Sequence, residues 1–269
     1  MKKENRLVYF VSESTAITAS SLGTSLLSQF PDIEFIHHRK PFINTMKKAA
    51  AFADELLAET LKSGIKPLVF ATMTDKEINT LLAASSCHYY ELFSRYIHEI
   101  GNDLGIKPTS ISGASHGLIS PSSYDKRMES INYALLHDDA MSMKNINKAD
   151  VILLGVSRSG KTPTCLYLAL QFGLRAANYP LTEDDFLKDD IPDVLKENRD
   201  KLIGLTIHPK RLAEIREKRR AGSKYASLAN CRIEINHALE FFNRYGLHVF
   251  DTSSSSIEEL STLIIQAMR

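Results

Sequence analysis

The sequence has few cysteines, no long hydrophobic run and almost no net charge, and each shortage excludes a class of protein. Its three cysteines, Cys87, Cys165 and Cys231, are far apart and form no C-x-x-C pair, so neither a disulfide framework nor a zinc knuckle is predicted. No apolar run approaches the roughly 20 residues of a membrane-spanning helix, and the run near the N-terminus is too short for a signal peptide. The net charge of +1 argues against a general nucleic-acid binder. We therefore expect a cytoplasmic protein that binds neither membranes nor nucleic acid.

Short apolar runs alternate with helical patterns in the first part of the chain. The strand candidates are residues 6–12, 33–38 and 66–72. The helix candidates are residues 15–29, 45–64, 75–84 and 88–104. In the helix at 15–29, the residues expected on the buried face are Ile17, Leu22, Leu26 and Leu27. Alternation of this kind predicts a mostly parallel sheet with helices on both faces.

The stretch GVSRSGKTPT, residues 155–164, matches the phosphate-binding pattern G-x-x-x-x-G-K-[ST] without a mismatch. It lies between an apolar strand and a helix-forming run, where backbone N–H groups and a helix N-terminus can together bind an anion. Lys161 can reach the terminal phosphates, and the Thr162 hydroxyl is placed to hold Mg²⁺. The predicted phosphate site consists of Gly155, Val156, Ser157, Arg158, Ser159, Gly160, Lys161 and Thr162.

A basic segment lies downstream, at residues 208–226. Its cationic residues are Lys210, Arg211, Arg216, Lys218, Arg219, Arg220 and Lys224. Small P-loop kinases close an arginine-bearing lid over the phosphates, so a lid or a docking surface for an acidic partner is one prediction. A solvated helix face is the alternative. Since no apolar strand ending in a magnesium-holding Asp is evident downstream of the loop, these features favour a kinase over a motor or a switch GTPase.

The rest of the chain completes the predicted organisation. Residues 106–123 are rich in Pro, Gly and Ser and predict a loop. A helix is predicted at 124–136, and the remaining elements are strands at 149–155, 202–207 and 247–252 and a last helix at 256–268. We predict an α/β protein in which an N-terminal parallel-sheet α/β domain precedes a P-loop kinase-like α/β domain. Its parts are the first domain at 1–105, a connecting loop and helix at 106–148, and the P-loop domain at 149–269.

Several long segments carry a family resemblance. VILLGVSRSGKTPTCLYLALQFGLRAANYPL, LIGLTIHPKRLAEIREKRR, SKYASLANC and YDKRMESINYALLHDD, with the N-terminal VYFVSESTAITASSLGTSLLSQFP, span nearly the whole chain. They resemble the phosphoenolpyruvate synthase regulatory proteins, a bacterial kinase/pyrophosphorylase family, and the related regulators of pyruvate, phosphate dikinase share the loop. The chain departs from the family at Glu13, where an Asp is usual, so we assign Glu13 no role.

The resemblance implies an ADP-dependent protein Ser/Thr kinase. Such proteins transfer the β-phosphoryl group of ADP to a threonine of phosphoenolpyruvate synthase, which inactivates it. They reverse the modification with inorganic phosphate, and pyrophosphate leaves. The implied ligands are therefore ADP, inorganic phosphate and Mg²⁺ or a similar divalent cation, and the implied partner is the synthase. Alternatives are the same chemistry on pyruvate, phosphate dikinase, a P-loop small-molecule kinase, or a nucleotide-gated binding module; a homodimer is also compatible with the sequence.

A threonine hydroxyl is a poor nucleophile at neutral pH, so a carboxylate base is expected. Asp138 and Asp139 are the candidates, because adjacent acids at a helix end can act as base and metal ligand, and His137 could carry a proton. The alternative is that these three residues only end the helix. His116 could contact phosphate or the partner, or simply bond to backbone.

Polar residues also follow the first strand, at the edge where α/β sheets bind ligands. These residues are Ser12, Ser14 and Thr15. They are predicted either to recognise the partner or, for Ser14 and Thr15, to cap the helix that follows. The three cysteines are expected to be inert.

Overall fold

The computed structural model describes residues 4–109, 121–140, 143–187 and 193–268 of the chain. They belong to two compact units, Met1–Leu118 and Ile119–Arg269. Each unit contains a four-stranded parallel sheet with helices packed on it. The predicted α/β class, with one parallel-sheet α/β domain followed by a second, is therefore confirmed.

The first unit is built around β1, which lies inside its sheet. The strands are β1 (Glu4–Ser12), β2 (Ile33–Lys40), β3 (Leu68–Thr72) and β4 (His88–Glu91), in the order β2-β1-β3-β4. The helices are α1 (Ile17–Leu27), α2 (Met46–Ser63), α3 (Lys76–Ala83) and α4 (Ser94–Leu104). Because side chains alternate across a strand, Val8 and Phe10 pack with α1, whereas Tyr9 and Val11 pack with α2 and α3 on the other face.

The helix predicted at 88–104 is wrong at its start. Residues 88–91 form β4, which pairs in parallel with β3, and helix α4 begins only at Ser94. Tyr89 packs against the core formed with α2 and α3, so this short aromatic run is held as an edge strand by contacts outside its own sequence. Tertiary pairing decides the structure here.

Helix α1 buries its small residues rather than the large apolar ones that the sequence predicts. Its buried residues are Ala19, Ser20, Gly23 and Leu27. Ile17, Leu22 and Leu26 are instead 55%, 40% and 45% exposed, so that part of the prediction is wrong. A Cβ on Gly23 would lie 2.5 Å from a ring carbon of Phe10. The helix therefore approaches the sheet so closely that only small side chains fit between them.

Gly23→Ala is expected to destabilise the first unit by about 1–3 kcal/mol, because the added methyl group would overlap the buried ring of Phe10. Helix propensity alone would stabilise this variant by about 1 kcal/mol, so the sign of the change is informative. The matched control is Ser21→Ala, at an exposed position of the same helix, with an expected change within about 0.5 kcal/mol. Urea unfolding measures both, and a stabilised Gly23→Ala variant would contradict the close approach.

The second unit repeats the pattern with a different set of connections. The strands are β5 (Val151–Gly155), β6 (Ala176–Pro180), β7 (Leu202–Thr206) and β8 (His248–Asp251), in the order β6-β5-β7-β8 with each pair parallel. The helices are α5 (Pro121–Leu136), α6 (Lys161–Phe172), α7 (Glu183–Leu187), α8 (Asp193–Lys196), α9 (Pro209–Glu217), α10 (Leu228–Tyr245) and α11 (Ile257–Ala267). The predicted strands β5, β7 and β8 and helices α5 and α11 are confirmed to within a few residues, and β6 was not predicted.

Strand β5 positions the site, because it is central in the sheet and buried at all five positions. Ile152 and Leu154 pack in a core that includes α9 and α10. Val151 and Leu153 pack on the other face with α5, α6 and α11. Since all four strands are parallel, the residues that follow each of them gather at one edge of the sheet.

None of the helices in the described ranges has the length and apolar composition that crossing a bilayer requires.

Candidate functional site

The segment between β5 and α6 forms a tight loop with two residues at positive φ. Gly160 has φ +91° and directly precedes α6, and Arg158 has φ +74°, which is unusual for a residue with a side chain. At Gly155 a Cβ would lie 2.5 Å from the carbonyl oxygen of Leu205, so only glycine fits. No side chain caps the first turn of α6. The loop and the free N–H groups of that turn form a positive end suited to an anion.

Lys161 opens α6 and folds back onto the loop. Its side chain is 4% exposed, and Nζ donates a hydrogen bond to the carbonyl oxygen of Val156, 2.9 Å away. Burial lowers the pKa of this ammonium group from 10.5 to about 8, and the nearby carboxylates of Asp139 and Asp138 oppose the shift only in part. The loop therefore encloses a cation with no ion pair to a carboxylate within 4 Å among the described residues.

Arg216 holds the loop from the side of α9. The guanidinium group is fully buried and donates to the carbonyl oxygen of Ser157 through Nε (3.3 Å) and Nη2 (3.0 Å). Nη1 and Nη2 also pair with the two carboxylate oxygens of Glu234, at 3.1 and 2.6 Å. The guanidinium stacks on Tyr225, 4.1 Å from the ring centroid, and the Tyr225 hydroxyl lies 2.9 Å from Ser157 Oγ.

The lid hypothesis therefore fails for Arg216, which is a buried support of the loop and not a mobile side chain. The other cationic residues of the basic segment, Lys210, Arg211, Lys218, Arg219, Arg220 and Lys224, are exposed. A second support follows directly after β8: Thr252 Oγ1 lies 3.1 Å from the carbonyl oxygen of Ser159 and 3.0 Å from that of Thr206.

Helix α5 ends in a turn that His137 anchors. The imidazole ring is buried and stacks on Tyr133 at 3.9 Å, and its two nitrogens lie 2.8 Å from the carbonyl oxygens of Tyr133 and Lys144. Both nitrogens thus lie against backbone carbonyl oxygens, to only one of which a neutral ring can donate, and these contacts favour an anchoring role over proton transfer. The turn continues as Asp138–Ala140, with Asp139 at φ +47°.

The two aspartates of this turn reach the start of α6. Asp138 Oδ1 accepts a hydrogen bond from Thr162 Oγ1 at 2.8 Å and another from Asn178 Nδ2 at 2.6 Å. Asn178 Nδ2 also lies 3.0 Å from Thr162 Oγ1 and 3.3 Å from Asp139 Oδ1. The structure thus brings together Asp138, Asp139, Lys161 and Thr162 from the sequence prediction. It adds Asn178, which sequence analysis missed because its strand was not predicted.

Thr162 and Asp138 also fit a divalent cation. Their side chains offer hydroxyl and carboxylate oxygens within 2.8 Å of each other, the hard ligands that Mg²⁺ prefers. Over the described ranges, no group of three or more His, Cys, Asp and Glu side chains could hold a metal ion. A cation here would therefore take its other ligands from phosphate oxygens and water, as Mg²⁺ commonly does.

Other residues singled out in the sequence belong to the first unit or fall in the gap before the second. His116 lies outside the described residues. Ser12 Oγ donates to the carbonyl oxygen of Thr72 at 3.3 Å, and the N-cap of α1 is Ala16 without a side-chain cap, so neither Ser14 nor Thr15 caps this helix.

The contacts of Glu13 and the burial of the cysteines indicate that these residues support the fold. The Glu13 carboxylate accepts hydrogen bonds from Thr74 N and Oγ1, both at 2.7 Å, and from Asp75 N at 2.6 Å. It therefore ties the loop after β1 to the loop after β3. All three cysteines are buried, and burial raises the pKa of each thiol. That agrees with the expectation that they are inert.

Comparisons with known proteins agree with one another. A model of the family described as "Kinase/pyrophosphorylase" matches residues 8–265. A Thiocapsa roseopersicina protein named "Putative phosphoenolpyruvate synthase regulatory protein" is 49% identical over 265 residues, which covers 98% of this chain and 98% of that protein. A protein of the same name from Laribacter hongkongensis is 44% identical over 97% of this chain and 95% of its own length. One from Neisseria meningitidis is 42% identical, with coverages of 98% and 97%.

Proposed function

We propose, from the premise that the chain belongs to the kinase/pyrophosphorylase family, that it is an ADP-dependent protein Ser/Thr kinase acting on phosphoenolpyruvate synthase. We assign it the reverse activity as well, phosphorolysis of the phosphothreonine by inorganic phosphate. The single observation that carries the proposal is the contact between Thr162, at the start of α6, and Asp138 in the turn after α5. This contact places carboxylates next to a loop suited to phosphate.

The loop supplies the binding of the diphosphate. The N–H groups of the loop and of the first turn of α6 are the donors, and the buried Lys161 ammonium adds a full positive charge. The fixed donors need no rearrangement as charge moves between the phosphate oxygens, which is the main source of catalysis in phosphoryl transfer.

Thr162 and Asp138 would hold the divalent cation. When bound, Mg²⁺ neutralises charge on the phosphate oxygens. Asp138 is half-buried and already committed to Thr162 and Asn178. Asp139 is exposed, and its only side-chain hydrogen bond among the described residues is the longer 3.3 Å contact to Asn178. We therefore assign proton transfer to Asp139 and cation binding to Asp138.

With these roles, the proton and the phosphoryl group each have a donor and an acceptor in both directions of the reaction. In the kinase direction, the threonine oxygen bonds to the β-phosphorus of ADP, the bond to the bridging oxygen breaks, AMP leaves, and Asp139 accepts the hydroxyl proton. In phosphorolysis, an oxygen of inorganic phosphate bonds to the phosphorus of phosphothreonine and pyrophosphate forms. The threonine oxygen then leaves with a proton from Asp139.

The synthase is preferred over the dikinase as the target because the relatives from Thiocapsa roseopersicina, Neisseria meningitidis and Laribacter hongkongensis are named for the synthase. The test is to incubate the protein with the synthase and ADP labelled in the β-phosphate, and to locate the label by mass spectrometry. Adding unlabelled inorganic phosphate should release the label as pyrophosphate. Transfer from the γ-phosphate of ATP, or binding of ADP without any labelled threonine, would contradict the proposal.

The pKa of Lys161 predicts how ADP affinity depends on pH. Burial holds this pKa at about 8 in the free protein, so the ammonium is charged below about pH 8 and neutral above it. We expect ADP affinity to fall as the pH rises through this value, by about tenfold at one unit above it. Bound phosphate favours the charged amine, so binding near pH 9 should take up a proton.

Calorimetry in buffers with different ionisation enthalpies measures this proton uptake. The matched variant is Lys161→Met, for which both the uptake and the pH dependence in this range should disappear. An ADP affinity that stays constant from about pH 7 to about pH 9 in the wild type would contradict the assignment.

A further inference from the structure

Asn178 lies in β6, on the face of the sheet that α5 and α6 cover, and it is 3% exposed. Its backbone N–H donates to the carbonyl oxygen of His137 at 3.0 Å, which joins β6 to the turn after α5. Its side chain then reaches Asp138, Asp139 and Thr162 through a single atom, Nδ2. Three groups that come from two separate segments thus meet at one amide.

The hydrogen-bond pattern fixes how this amide is oriented. The amide nitrogen is a donor and both carboxylates are acceptors, so an exchange of its nitrogen and oxygen would set the amide oxygen against Asp138 Oδ1. In the observed orientation, Asn178 Oδ1 is buried and has no hydrogen-bond partner among the described residues. A buried acceptor left unpaired is unfavourable, and a donor arriving with a ligand would relieve this.

The amide contacts the two neighbouring carboxylates unequally. The 2.6 Å bond to Asp138 is much shorter than the 3.3 Å contact to Asp139, so Asn178 holds Asp138 beside Thr162 and holds Asp139 weakly. Asp139 is also kept apart by its backbone, which has φ +47° while Asp138 begins the turn. The two adjacent aspartates therefore differ in how firmly they are held, a difference that their sequence does not show.

We propose that Asn178 is the positioning residue of the site: its amide fixes Asp138 beside Thr162 as a ligand for a divalent cation and leaves Asp139 for proton transfer. The role of Asp139 rests on the proposed phosphoryl transfer, whereas the effect on cation binding rests only on the proposed binding of ADP. The two can therefore be tested separately.

The experiment measures Mn²⁺ binding to the whole protein in the presence of ADP, by electron paramagnetic resonance. Asn178→Ala is expected to weaken Mn²⁺ binding by about tenfold to hundredfold, the usual effect of removing a group that orients a ligand. Affinity for ADP without a cation should stay within about twofold of wild type, because the loop and Lys161 are untouched. Asp138→Asn should reproduce the loss of Mn²⁺ affinity.

The matched control is Asn198→Ala. Asn198 is also 3% exposed and donates one hydrogen bond, from Nδ2 to the carbonyl oxygen of Val194 at 3.0 Å. It lies at the amino end of β7, on the sheet edge opposite the site. Its replacement should leave Mn²⁺ affinity unchanged. If Asn178→Ala does not fold, Asn178→Leu fills the same space without a donor and should show the same loss.

Mn²⁺ affinity within about twofold of wild type in a folded Asn178 variant would overturn the proposal, as would an equal loss in Asn198→Ala. Failure of the proposed function looks different. In that case the wild type binds Mn²⁺ with ADP, the Asn178 variant does not, and neither protein labels the synthase.

Discussion

Replacing Lys161 by methionine is expected to abolish phosphoryl transfer in both directions while leaving the protein as stable as before, or more stable. The ammonium is a buried positive charge that contacts the loop directly, at the carbonyl oxygen of Val156. Its loss should reduce the rate by more than about a hundredfold, as removal of one fixed donor does in other transfer sites. Turnover with labelled ADP and the synthase measures this effect.

The expected stability of Lys161→Met follows from the same burial. The pKa falls from 10.5 to about 8, which corresponds to a folding cost of about 3 kcal/mol at neutral pH. Methionine removes that cost but leaves the carbonyl of Val156 without its donor, which costs about 1–3 kcal/mol. The two terms nearly cancel, so the free energy of unfolding should be retained or slightly raised.

The sign of the pH dependence provides the control. Since the pKa of Lys161 is lowered in the folded state, the unfolded chain binds more protons between about pH 8 and pH 10.5, and stability rises with pH in that range. This rise should be missing from Lys161→Met in urea titrations. A variant that is strongly destabilised at neutral pH would mean that the ammonium supports the fold, and the loss of activity would then say nothing about phosphate.

Arg216→Ala is expected to destabilise the second unit by about 3–5 kcal/mol, the loss that follows when one partner of a buried ion pair is removed. The substitution leaves the carbonyl of Ser157 without the donors from Arg216 and removes the ion pair of Glu234, whose carboxylate keeps only the hydrogen bond from Asn230 among the described residues. Because Ser157 belongs to the loop, ADP binding should weaken even at temperatures where the variant is folded. Arg216→Lys should rescue little, since one ammonium cannot reproduce the forked contacts to both partners.

Arg211→Ala is the control for Arg216→Ala. Arg211 lies in the same helix, α9, and pairs with Glu214 at 3.3 Å, but both side chains are exposed. Such pairs contribute about 0–1 kcal/mol, so thermal unfolding and ADP binding should be nearly unchanged. If the two variants lost similar stability, the charge of the basic segment and not the buried network would be the cause.

The sequence predicted a glycine-containing loop between a buried strand and a helix, because the residues that mark such a loop are local. Gly155, Gly160, Lys161 and Thr162 lie within a few residues of one another, and the buried strand before them and the helix after them can be recognised from composition. The two aspartates were also identified as candidates, on chemical grounds and from the family resemblance. What local sequence could not provide was the distance of 2.8 Å between Asp138 and Thr162, which depends on how α5 packs on α6.

The features that sequence analysis missed all depend on contacts between distant segments. Strand β6 contains Ala, Asn and Pro, which disfavour strands in isolation, and it forms because it pairs with β5. In the sequence, Arg216 is one of several cationic residues expected to be solvated, but in the structure it is buried beside Ser157. In α1 the apolar pattern pointed to the wrong face, since the surface of the neighbouring sheet decides that small residues are buried. The spacing of apolar residues along a helix cannot show the shape of the surface on which the helix packs.

The contact between Thr252 and the loop means that the site depends on the folding of a segment far along the chain. Its hydroxyl lies next to the carbonyl of Ser159, 93 positions earlier in the chain. Contacts of such high sequence separation form late during folding, after the entropy of closing a long loop has been lost. A peptide spanning only β5, the loop and α6 would contain every residue of the motif but would not adopt the conformation of the loop. The motif occupies one short stretch of sequence, but the conformation of the loop depends on contacts with distant parts of the second unit.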